Sequence, residues 1–74
     1  MNIQPFQIGN TNEWVIAANP VVTMGRRTAE GFWNETDQRW SPTPGPAKRF
    51  QSYDEALAYL RDNYGQLSTT DILY

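Results

Sequence analysis

A chain of 74 residues with no cysteine and no histidine has to hold itself together by apolar and aromatic packing. Small domains commonly lean on a disulfide or a metal. Disulfides are impossible here, and zinc finds neither a thiolate nor an imidazole. The remaining device is aromatic. Three Trp, four Tyr and three Phe are present, and each can bury a large area. The length allows one domain.

The clearest local signal lies in the second half. Ser52-Tyr53-Asp54-Glu55 has the form of a capping box, with Ser at the N-cap and Glu at N3. Tyr53, Ala56, Leu57, Leu60 and Tyr64 then recur on one helical face. Gly65 reads as the terminator. The pattern predicts a helix over 53–64.

Upstream, Glu13 to Asn19 reads as a strand that Pro20 stops. Trp14, Ile16 and Ala18 fall on one face, Val15 and Ala17 on the other. Two apolar faces predict a central strand. Val21 to Met24 continues as a second extended piece, and Gly25 marks a turn. Thr28 to Asn34 and Arg39 to Ser41 read as a hairpin around the polar loop 34–38. Phe32 and Trp33 point to opposite faces of such a strand, which predicts one in the core and one outside. Residues 42–46 form a proline-rich connector, and 47–50 a short extended piece. Residues 1–12 are polar and lack periodicity, so they read as a flexible arm. The compact domain is expected over 13–65, with a tail over 66–74. The fold expected is α+β: a small antiparallel sheet of three to four strands, one C-terminal helix packed on one face, and flexible N- and C-terminal tails.

The chemistry of catalysis is sparse. Without Cys or His, the common nucleophile–base pairs cannot be built. Asp54 and Glu55 are accounted for by the helix start, and Glu35 and Asp37 by a solvated loop. The scattered glycines make no phosphate-cradling loop. The expectation is a binding module with no catalytic residue, no metal site and no cofactor.

Charge is unevenly placed although the net value is only −2. Arg26, Arg27, Arg39, Lys48 and Arg49 stand against Glu30, Glu35 and Asp37 in the middle of the chain, and Arg61 alone against Asp54, Glu55, Asp62 and Asp71 towards its end. Phe32, Trp33 and Trp40 lie beside the basic residues in sequence. Arg and Trp are favoured in protein interfaces, and basic residues with aromatics also suit single-stranded nucleic acid. The candidate partner-binding residues are therefore Arg26, Arg27, Trp33, Arg39, Trp40, Lys48 and Arg49. Phe6 joins them as an apolar anchor on the arm.

Trp14-Val15-Ile16, Gly31-Phe32-Trp33-Asn34, Arg39-Trp40-Ser41 and Ala47-Lys48-Arg49-Phe50-Gln51-Ser52-Tyr53-Asp54-Glu55-Ala56 follow one another in order. This succession over residues 13–60 resembles a pattern of structural residues common in small phage and prophage proteins. In length, cysteine-free composition and hairpin-plus-helix layout, the chain is similar to the small RNA-polymerase-binding transcription regulators of lytic Xanthomonas phages. That resemblance implies binding to host RNA polymerase in the bacterial cytosol, inhibition of initiation or antitermination, and contact with nascent RNA or DNA. The basic–aromatic set as contact surface follows from side-chain chemistry, not from a family motif. A monomer is expected. Two other functions fit the same composition: a steric inhibitor of a host defence system (anti-CRISPR or anti-restriction), and a single-strand nucleic-acid-binding module. Eight acids against six bases are too few for a DNA mimic. No stretch approaches the ~20 apolar residues of a membrane span, and no signal peptide is visible at the N-terminus.

Overall fold

The strand predicted to be central is the centre of the molecule. In a computed structural model that describes residues 1–73, the elements are β1 (Ile3–Gln7), β2 (Trp14–Ala18), β3 (Val21–Thr23), β4 (Arg26–Thr28), β5 (Gly31–Asn34), β6 (Arg39–Ser41), α1 (Tyr53–Asp62) and α2 (Tyr64–Thr69). The main sheet is antiparallel in the order β1-β2-β5-β6, and β3 and β4 form a separate two-stranded hairpin. The class is α+β, with the helices at the C-terminal end.

The expected N-terminal arm is instead an edge strand. Ile3 pairs with Ala18 and Gln7 with Trp14. Asn19 N–H donates to the Asn2 carbonyl at 2.6 Å and Ile8 N–H to that of Glu13 at 2.9 Å. Alternation along an antiparallel ladder then turns the backbone groups of Ile3, Pro5 and Gln7 to the open edge. Pro5 has no N–H to lose there, and it blunts the edge against further pairing.

β2 meets β5 at Ala17–Phe32 and Ala18–Gly31. Beyond that point the extended piece before the helix lies between the two strands. Lys48 N–H donates to the Trp33 carbonyl at 3.0 Å, and Trp14 and Phe50 exchange two backbone bonds of 2.8 Å. β5 and β6 form the predicted hairpin, with Trp33 opposite Trp40.

Both faces of the sheet are covered, so Phe32 and Trp33 are both buried. On one face, Ile3, Ile16, Ala18, Trp33, Trp40 and Phe50 pack with Ala56, Leu60 and Leu67 of the helices. On the other, Val15, Ala17 and Phe32 pack with Ala47 and the half-buried Phe6, Ile8 and Ala29. Segments remote in sequence thus enclose the second face, which the strand pattern alone does not announce.

The helix starts where the capping box places it. Ser52 Oγ accepts from Glu55 N–H at 3.1 Å. It ends earlier than predicted. Asn63 closes α1 through its N–H and its Nδ2, both donating to the Tyr59 carbonyl. Gly65 lies inside α2 and terminates nothing. Residues 66–69 of the expected tail are helical, and Leu67 is fully buried. Trp40 Nε1 donates to the Thr70 carbonyl at 2.9 Å, which fastens the segment after α2 to β6. Tyr74, the last residue of the predicted tail, lies outside the described residues.

Candidate docking surface

One element belongs to neither core. All eight residues from Val21 to Thr28 are exposed, and none packs in either cluster. The sequence folds them locally. Val-Val-Thr and Arg-Arg-Thr are strand-compatible stretches of equal length on either side of Met24-Gly25. Both turn residues have positive φ, 52° at Met24 and 79° at Gly25, as a two-residue hairpin turn with right-handed twist requires. Gly25 takes this conformation freely, whereas Met24 takes it at some cost.

The hairpin carries a distinctive surface. Met24 at its tip is 96% exposed and Val22 69%. Arg26 and Arg27 follow, and the hairpin holds no carboxylate. Met and Arg are among the residues enriched in protein interfaces. A two-stranded hairpin alone is marginal in water, so its attachment to the body matters. Arg27 Nη2 donates to the Gln7 carbonyl on the open edge of β1 at 2.8 Å. The same guanidinium lies 5.2 Å from the centre of the Phe6 ring, a contact of about 0.5–1 kcal/mol at an exposed site. Phe6 is in turn held edge-on against Phe32 at 5.5 Å.

Around this junction the surface is indented. A cleft of about 470 Å³ runs between Phe6, Ile8, Ala29, Phe32, Pro42 and Pro44, with Arg27 and Thr28 on its wall. A smaller hollow of about 210 Å³ lies between β1 and β3, lined by Pro5, Phe6, Val22 and Arg27 among others.

The predicted partner-binding residues do not form one surface. Arg27 and Phe6 come together at the β1 side of the sheet, while Arg26 pairs with Thr23 next to the hairpin tip. Arg39 is on β6, the opposite edge, and shares a hollow with Asp71. Arg49 shares another with Glu13. Lys48 is half-buried and makes the one ion pair found among the described residues, with Glu35 at 3.4 Å. Its ammonium also lies 5.5 Å from the Phe50 ring and 5.7 Å from the Tyr59 ring.

Trp33 and Trp40 are each 1% exposed, which corrects their assignment to a contact surface. They pack edge-on across β5 and β6 at 5.2 Å. Both indole N–H groups are used internally, by Tyr59 and by Thr70. The residues that sequence reasoning missed are Val21, Val22 and Met24. Their signal was the two-residue turn between matched three-residue strands.

Among the described residues, no group of His, Cys, Asp or Glu side chains is arranged to hold a metal ion. Among the same residues, no helix is long and apolar enough to cross a membrane. No family model matches the sequence, and comparison with curated proteins and with solved structures finds no match.

Proposed function

We propose that this chain is a non-catalytic protein that docks on a macromolecular partner through the β3–β4 hairpin and the adjoining edge of β1. The observation that carries the reading is the hairpin itself. It leaves Val21, Val22 and Met24 exposed, beside two arginines, while contributing to neither core cluster. Large apolar side chains left exposed on an element that packs in neither core are candidates for an interaction site.

The charge of the surface favours a partner that presents carboxylates among apolar groups. Arg26 and Arg27 supply long-range attraction, and the valines and Met24 supply area to be buried. The resemblance to phage transcription regulators makes host RNA polymerase, in the bacterial cytosol, the partner of this proposal. Regulation of transcription is the effect, through altered initiation or antitermination. A base-stacking mode is disfavoured, because Trp33 and Trp40 are enclosed and their N–H groups are engaged.

Co-elution with purified host core RNA polymerase at moderate salt is the test. The proposal expects a stoichiometric complex. Separate elution of the two at that salt contradicts polymerase as the partner.

A further inference from the structure

We infer that the cleft between Phe6 and Phe32, with Arg27 on its wall, receives an extended peptide segment of the partner that carries a carboxylate two residues from an apolar side chain. This rests on the docking reading and specifies what the partner offers.

Three observations lead there. The first is charge. Among the described residues, Arg39 and Arg49 each line a hollow that also contains a carboxylate, Asp71 and Glu13 respectively. The cleft at Arg27 contains none. Arg27 is engaged by a carbonyl oxygen and an aromatic face, and neither neutralises its charge. A guanidinium presents several donors in a planar fork that matches a carboxylate, and only one of them is used here.

The second is the wall. Phe6, Ile8, Ala29, Phe32, Pro42 and Pro44 give an apolar lining of about 470 Å³, within the usual range for ligand sites. Such a lining suits an aliphatic or aromatic side chain and repels a string of phosphates. One arginine in an apolar cleft cannot match the repeating charge of a nucleic-acid backbone.

The third is backbone. Thr23 and Arg26 close the two-residue turn, so they form the hydrogen-bonded pair nearest the tip. Alternation then turns the N–H and C=O of Arg27 to the outer edge of β4. Arg27, Thr28 and Ala29 line the cleft, and no strand pairs with that edge. An extended segment gains main-chain hydrogen bonds by adding to such an edge, while its alternate side chains enter the cleft. This favours a peptide over a compact small molecule.

The test uses the full chain, labelled with nitrogen-15, and the acetylated and amidated synthetic hexapeptide Leu-Ser-Asp-Ser-Leu-Ser, which puts Leu and Asp on one face of a strand. Amide shifts are expected at Phe6, Ile8, Thr28, Ala29 and Phe32. Arg27→Glu should weaken binding about tenfold or more and, since Arg27 is exposed, keep the remaining spectrum dispersed. The same peptide with Lys in place of Asp should bind R27E better than it binds the original chain. Arg49→Glu, away from the cleft, should bind the Asp peptide as the original does. The inference is overturned by silence of the cleft amides at millimolar peptide. Equal affinity of R27E and the original chain, or stronger shifts at the same amides from a thymidine oligonucleotide, also overturns it. Should the peptide fail while the chain co-elutes with polymerase, the docking reading survives and the cleft assignment falls. Should the peptide bind while co-elution fails, the cleft stands and polymerase falls.

Discussion

Trp33 donates its indole N–H to the hydroxyl of Tyr59 at 3.1 Å, which joins β5 to α1 through the main core. The indole is almost wholly enclosed, so its N–H has no water to turn to. Tyr59→Phe keeps the ring and removes the acceptor. It should destabilise the chain by about 1–3 kcal/mol, the cost of a buried donor left unpaired. Chemical denaturation measures the loss.

The same tyrosine gives the fold an alkaline limit. Burial pushes its phenol above the ordinary value of 10.0; the Trp33 hydrogen bond pulls the other way, and Glu35 adds to the rise. An acid whose pKa is higher folded than unfolded holds its proton more tightly in the folded state. Its contribution is therefore fully present below about pH 10 and is lost as pH rises through the folded value. Melting temperature should fall in that range, and the fall should be shallower in Tyr59→Phe. Thermal melts from neutral to strongly alkaline pH check this.

Gly31 is fixed by the close approach of Trp40. A Cβ at residue 31 would stand 2.9 Å from Trp40 Cβ, nearer than real Cβ contacts come. Trp40 cannot retreat, because Trp33 and the Thr70 carbonyl hold it. Gly31→Ala should cost about 1–3 kcal/mol through overpacking, whereas Gly45→Ala, which meets no atom within 4 Å, should be near neutral. The two melting temperatures compared side by side test this.

Deleting residues 1–8 should abolish cooperative melting. The deletion takes away β1, whose Ile3 is buried in the main core and whose register spans the whole of β2. A merely flexible arm predicts no change in the circular-dichroism melt.

How much of this was legible in the sequence depends on where each element's cover comes from. The start of α1 was legible because its cap is local: Ser52 bonds to Glu55, three residues on. β2 was legible because both of its faces are apolar within one run. β1 was not, because Pro5 and two glutamines interrupt its alternation, and it is an edge strand that tolerates them. α2 was hidden by Gly65, which reads as a stop until Leu67 is seen to fill the core beside it. The burial of Phe32 and Trp33 together required knowing that Ala47, Phe6 and Ile8 close the second face. At the candidate site, side-chain chemistry points to Arg27 and Phe6, and the two are in contact. The same chemistry points to Trp33 and Trp40, which are core, since a tryptophan's chemistry does not reveal which side of a strand is covered.

Docking through the hairpin depends on its exposed tip. The direct measurement is the affinity of fluorescently labelled chain for host core RNA polymerase by anisotropy, compared with a variant carrying Val22→Ser, Met24→Ser and Arg26→Glu. All three positions are exposed, so the variant should melt close to the original, within about 0.5 kcal/mol per site. The original is expected to bind, and the variant, still folded, to bind at least about a hundredfold more weakly, roughly 2.7 kcal/mol. Equal binding by the two chains, or no binding by either, contradicts docking through the hairpin.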